Sequence, residues 1–351
     1  MSRNTLPPLA ADGDDANVAP GSEDAFLALI DHHFPTRHPH CPSGRGDDCA
    51  VLRTPDPLLL SSDLFLEDVH FRAAYCTPQD IGYKALAVNL SDIAAMGGVP
   101  LGFSLGLMAP AGRPARFWDA LFSGLALAAE PWDLALAGGD LSRSERLGLC
   151  ITIWGRPGST GATLARGNCR PGDALFIVTA PDSGLGLART GLRLLEERGR
   201  ARALAEAPAA VMAHLRPLPL VDAGLTLAAM PGVRSLMDLS DGLVRDIPRL
   251  LGSGLARTDD GPAWPALGAE LTLTSEALHP ELRRFAVADP LAEALLGGED
   301  YALLGAVEDA ALDRLCRLLP MALPVGRVVD TPGLHVAGRS LDLHGFDHFS
   351  A

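Results

Sequence analysis

Six aspartates in this chain share one local signature. Asp48, Asp63, Asp92, Asp140, Asp238 and Asp241 follow an apolar strand-like run, flank a glycine, or sit on the polar edge of an apolar helix. Asp48 lies in GRGDDCAVL, Asp63 in LLLSSD, Asp140 in LALAGGD, and Asp238 and Asp241 in LMDLSDG. Any one of them also serves as an ordinary turn residue, because Asp and Gly favour turns. Six in one chain argue for a shared acidic cluster. Such a cluster needs cations to offset its self-repulsion, and carboxylate oxygens suit a hard ion such as Mg²⁺. Several Mg²⁺ ions between carboxylates and substrate phosphates make a phosphoryl-transfer site. The chain has no G-x-x-x-x-G-K-[ST] loop and no kinase H-R-D or D-F-G set, so an ATP site would be of another type.

The elements that must position these residues are readable in part. Thr77 to Pro100 reads as one helix, with Thr77 as N-cap, Pro78 in the first turn and Asp80 completing a capping box. Gly97, Gly98 and Pro100 read as its stop. Lys84, Asn89, Ser91 and Asp92 interrupt its apolar residues, and Lys84 and Asp92 share a face. Polar groups on a buried helix are costly unless paired or bound. The plainer alternative is a solvated helix side, and the other carboxylates in the chain decide against it. Elsewhere, strands are expected to end at Asp63, at Gly138-Gly139-Asp140 and at Asp238, where ligands collect in α/β folds. Arg198 to Ala210 reads as one helix rich in Ala and Arg, and His214 and Arg216 precede a turn.

At 351 residues the chain is long enough for two domains. The expected division is a lead-in over 1–20 without structure, a domain over 21–161, and a second over 162–351. Lys and Arg total 29 against 43 Asp and Glu, a formal charge of −14. That excludes a general binder of nucleic acid or anionic membrane. The six cysteines form no C-x-x-C pair, which points to reduced thiols in a cytoplasmic protein. No secretory signal and no bilayer-length apolar run is legible. His38, His40 and Cys41 could hold a metal, although histidines beside prolines also read as exposed loop residues.

GDDCAVL, SSDLFLEDVHF, YKALAVNLSDIAAMGG, GGD, RPGD, MDLSDGL, GGEDYALL and GFDHF occur in that order. Together they resemble the thiamine-monophosphate kinase family, within the aminoimidazole ribonucleotide synthetase-like superfamily. The resemblance implies a two-domain α/β subunit whose N-terminal β-sheet domain dimerises through a shared β-barrel. It implies ATP-dependent phosphorylation of thiamine phosphate to thiamine diphosphate by a homodimer. Carried over by position, Asp48, Ser61, Ser62, Asp63, Asp92, Asp140, Asp238 and Asp241 resemble the Mg²⁺ ligands. Asp48, Asp92, Asp140 and Asp238 carry the catalytic role. Gly139, Asp140, Arg166 and Ser240 resemble nucleotide contacts, and His70, Glu299 and Phe346 substrate contacts. Two positions depart from the family pattern. Leu141 stands where Thr usually follows GGD, and the turn after Thr179 is shorter, with Ala180 in place of Gly.

Overall fold

The computed structural model describes residues 23–34, 38–41, 52–54, 57–252, 266–287, 289–336 and 339–340. Asp48, Phe346 and the expected lead-in lie outside them. The chain forms two compact units, one of Met1–Asn89 with Pro100–Arg156, the other of Leu90–Val99 with Pro157–Ala351.

The first unit contains α1 (Glu23–His33), β1 (Leu59–Leu66), most of α2 (Pro78–Ala95), β2 (Gly98–Pro110), α3 (Ala115–Ala129), β3 (Ala135–Ser144) and β4 (Gly148–Pro157). Its sheet has the order β1-β4-β2-β3. α2 starts as its sequence demands. Thr77 Oγ1 accepts from the Asp80 N–H at 3.2 Å, and the Asp80 carboxylate accepts from the Thr77 N–H at 3.0 Å. α2 and α3 touch through backbone, since a Cβ at Gly82 would lie 2.0 Å from Leu121 O and one at Gly124 2.1 Å from Gln79 O. The amphipathic α3 buries Trp118, Leu121, Phe122 and Leu125. On β1 the exposed residues Leu60, Ser62 and Leu64 alternate with Ser61, Asp63 and Phe65, so one sheet face carries two open leucines.

The second unit holds β5 (Ala174–Val178), α4 (Leu187–Arg198), α5 (Arg200–Glu206), α6 (Pro208–Leu215), α7 (Val221–Ala229), β6 (Val233–Leu239), α8 (Leu243–Leu250), β7 (Gly268–Leu271), α9 (Pro280–Phe285), α10 (Pro290–Leu296), β8 (Ala302–Val307), α11 (Leu312–Leu318), β9 (Ala322–Val329), β10 (Gly333–Val336) and β11 (Arg339–Ser340). Its strands run β11-β10-β7-β9-β5-β8-β6. β5 and β8 are buried along their whole length, the mark of strands covered on both faces.

Several expectations change. α2 stops at Ala95 with Gly97 at φ +66°, and Gly98 and Pro100 already belong to β2. β1 and β3 run straight through Ser61-Ser62-Asp63 and Gly138-Gly139-Asp140, so these residues lie within strands and not at their ends. The expected single helix over 198–210 is broken at Gly199 and again before Pro208. His214 lies inside α6 and is buried.

Candidate active site

On β1, Ser61 and Asp63 share the face of the buried Phe65, while Ser62 faces the other way and bonds Thr152 Oγ1 at 2.9 Å. His70 follows β1 in a turn. Its Nδ1 accepts the Leu66 N–H at 3.0 Å, and its ring stacks on Phe65 with centroids 5.8 Å apart. On β3, Gly139 passes so close to β2 that a Cβ would lie 1.7 Å from Leu105 O. Asp140 is exposed, and Ser142 Oγ donates to its Oδ2 at 3.0 Å.

The plain reading of α2 as solvated is overturned. Lys84, Asn89 and Ser91 are all buried, and Asp92 is half-buried. Asn89 Nδ2 donates to Ala85 O at 2.9 Å, but Asn89 Oδ1 and Ser91 Oγ are buried with no partner among the described residues. Unsatisfied buried oxygens are rare, and they suit a helix edge kept for a ligand.

Asp238 is buried in β6, and the loop after it is clipped. Asp246 of α8 accepts the Ser240 N–H at 3.1 Å and the Asp241 N–H at 2.9 Å. Arg249 Nη1 donates to Asp246 Oδ1 at 2.8 Å and to Asp241 Oδ2 at 2.5 Å. Burial pushes the Asp246 carboxyl up to about 6, against the opposing pull of the loop N–H groups and Arg249. Exposed Arg166 lies in the connector before β5, beside Gly167, whose N–H donates to Leu250 O at 2.8 Å.

GGEDY packs against the same loop. The Glu299 N–H donates to Ser240 O at 2.7 Å and the Tyr301 N–H to Leu239 O at 2.9 Å. Between them, Asp300 accepts from the Gly186 and Ala188 N–H groups at the start of α4, at 2.5 and 3.0 Å. Burial pushes its carboxyl up to about 7 despite those donors. His214 Nδ1 lies 3.0 Å from Glu299 Oε2. A cavity of about 510 Å³ opens beside Tyr301, walled by Pro181, Met212 and Leu218 with Arg216 and Glu281.

The second unit thus brings Asp238, Ser240, Asp241 and Glu299 to one loop cluster, and the first places Ser61, Asp63, Gly139 and Asp140 on its sheet. All of these offer oxygen donors or close backbone approach, a chemistry that fits Mg²⁺ and phosphate. Among the described residues, the His/Cys/Asp/Glu group gathered tightly enough for a metal is a different one, His32, His33 and Asp119. Its imidazoles suit a late transition ion more than Mg²⁺. His38, His40 and Cys41 do not join it; they are partly or fully buried, with His38 Nε2 3.4 Å from the Asp133 carboxylate. Cys41, Cys76, Cys150, Cys169 and Cys316 form no disulfide among the described residues, and burial pushes the Cys169 thiol up to about 11. No helix among the described residues is long and apolar enough to cross a membrane.

Residues 46–156 match the family model of the AIR synthase related protein, N-terminal domain. A thiamine-monophosphate kinase of Escherichia coli strain K12 is 34% identical over 323 residues, covering 88% of this chain and 92% of the relative. The chain belongs to the thiamine-monophosphate kinase family. A solved thiamine-monophosphate kinase from Stenotrophomonas maltophilia K279a superposes with a TM-score of 0.74 at 30% identity, covering 91% of this chain and 96% of that one. The structure of AaThiL complexed with AMPPCP and TMP superposes at 0.69 with 27% identity, covering 93% and 97%.

Within this kinase family, the two departures take on physical meaning. Leu141 directly follows Asp140 in β3 and pairs with Leu107, so alternation turns its side chain to the sheet face opposite Asp140. The turn after β5 is carried by Asp182 at φ +56° and Gly186 at φ +72°, and it ends on the N–H groups that Asp300 holds. The sequence reading left His214, Asp246 and Arg249 without a role. For Asp246 a signal existed, a second acid five residues beyond Asp241, in the first turn of the short helix that follows it. For His214 none did.

Proposed function

We propose that this chain transfers the γ-phosphoryl group of ATP to thiamine phosphate, releasing ADP and thiamine diphosphate, the last step of thiamine diphosphate biosynthesis. The observation that carries this reading is its similarity to AaThiL complexed with AMPPCP and TMP, which extends over 93% of this chain. AMPPCP is an ATP analogue, so that complex pairs a nucleotide with the acceptor.

Asp48, Ser61, Ser62, Asp63, Asp92, Asp140, Asp238 and Asp241 would hold several Mg²⁺ ions, with Asp48, Asp92, Asp140 and Asp238 in the catalytic role. Ser62, whose side chain leaves the Asp63 face, would contribute through its carbonyl. Bound Mg²⁺ supplies charge neutralisation where two phosphate-bearing substrates meet. Gly139, Asp140, Arg166 and Ser240 hold the nucleotide. Gly139 packs its backbone tightly against Leu105 of β2, and Ser240 sits in a loop already fixed by Asp246. His70, Glu299 and Phe346 hold thiamine phosphate. A phosphate oxygen of the acceptor attacks the γ-phosphorus as the bond to ADP breaks. That oxygen is already ionised near neutral pH, so the chain needs no strong base, and rigid positioning carries the rate.

In this reading 21–161 binds nucleotide and metal and forms the homodimer, and 162–351 completes the subunit, in the cytoplasm. The open Leu60 and Leu64 on β1, beside a cavity of about 360 Å³ lined by Leu58, Leu60 and Trp154, support a sheet face covered by a second copy.

The test is product formation. Purified protein with ATP and Mg²⁺ is expected to release ADP and form thiamine diphosphate only when thiamine phosphate is present, and to lose both with EDTA. ATP binding without product would instead identify a nucleotide-binding paralogue that does not turn over.

A further inference from the structure

Glu299 is fixed twice over. Its backbone lies at φ +66° and that of Tyr301 at φ +47°, conformations that strain a non-glycine residue. The chain holds them through the bonds to Ser240 O and Leu239 O, with Asp300 anchored between on the start of α4. Its side chain is fixed separately. The His214 side chain on α6 is 2% exposed, and it lies 3.0 Å from a carboxylate that is itself 28% exposed. A buried imidazole is easily satisfied by a carbonyl. Here its Nδ1 is spent on a charged group that still faces outward.

We propose that His214 is a positioning residue for the acceptor substrate. Its Nδ1–H donates to Glu299 Oε2 and selects the rotamer in which that carboxylate meets thiamine phosphate. This rests on reading Glu299 as a contact to thiamine phosphate. The thiazolium ring of the substrate is cationic, and a carboxylate with its rotation already frozen gives up less entropy on binding it. Because α6 carries His214 and the GGEDY turn carries Glu299, the pair also ties substrate affinity to the seating of α6.

The experiment measures steady-state constants for His214→Ala, His214→Asn, Glu299→Gln and the double variant His214→Ala/Glu299→Gln, with His214→Phe as a bulkier donor-free replacement should the alanine protein not fold. Glu299→Gln is expected to raise KM for thiamine phosphate about tenfold, and His214→Ala by a similar factor. The kcat and the KM for ATP should stay within about twofold for His214→Ala, because the pair acts on one substrate only. Asn keeps a donor near the Nδ1 position and should restore most of the affinity. The double variant should be no worse than Glu299→Gln alone. A raised KM for Glu299→Gln with an unchanged KM for His214→Ala overturns the positioning role and leaves the contact reading standing. An unchanged KM for Glu299→Gln overturns both. A joint fall of kcat, ATP affinity and unfolding temperature in every His214 variant reduces the residue to a packing role and overturns the proposal.

Discussion

A buried carboxyl that keeps its proton longer than the unfolded chain does makes stability depend on pH. Asp300, pushed up to about 7, and Asp246, pushed up to about 6, are both of this kind. In the unfolded chain they release their protons near pH 4. Between roughly pH 4 and 7 the folded state therefore binds more protons, and stability falls as pH rises through that window. Asp300→Asn cannot titrate. Its urea midpoint should vary less between pH 5 and 7 than the parent's, and equal slopes would show that Asp300 titrates normally. Ser91 makes a second case. Its buried hydroxyl has no partner among the described residues, so Ser91→Ala should leave the unfolding temperature unchanged or raised. A fall would mean that the hydroxyl is satisfied after all. The six candidate aspartates stand out in the sequence because their neighbours are distinctive. The sequence could not show that Asp246 and Asp300 are structural clips, because that role depends on N–H groups brought in by distant turns.

Elements were legible where local chemistry closes on itself. α2 has both halves of a capping box, and its start follows from Thr77, Pro78 and Asp80 alone. β1 and β3 were cut short in the reading because Ser61-Ser62-Asp63 and Gly138-Gly139-Asp140 look like strand ends. The ladders to β4 and β2 carry them through. Strand propensity is set by such neighbours more than by the residues themselves. Asp246→Ala frees the Ser240 and Asp241 N–H groups and leaves Arg249 bonded to Asp241. It should cost about 1–3 kcal/mol in chemical denaturation and raise KM for ATP. An unchanged KM would show that the loop keeps its shape without the clip.

For the whole molecule, two α/β units were legible from length and from the two sets of strand signals. The hand-over inside α2 was not, since Leu90–Val99 groups with the second unit and no break in composition marks a point inside a continuous helix. If a second copy covers the sheet face of β1, Leu60→Lys combined with Leu64→Lys places two charges in that interface. Sedimentation should then report a monomer from a parent that sediments as a dimer. Identical masses for parent and variant would put any dimer contact elsewhere.

Across β2 and β3, Phe103 pairs with Leu136 and Leu105 with Gly139, so Ala137 and Gly138 together stand opposite Ser104 alone. That extra residue acts on the strand as a frameshift acts on a message. Up to Leu136 the alternation of faces runs in one phase, and from Gly139 onward it runs in the other. Asp140 owes its side of the sheet to this one-residue insertion. Deleting Ala137 should heal the ladder with Asp140 still opposite Gly106 on its present face, whereas a chain that kept Ala137 but lost the bulge would pair Asp140 with Leu107 and turn it to the other side.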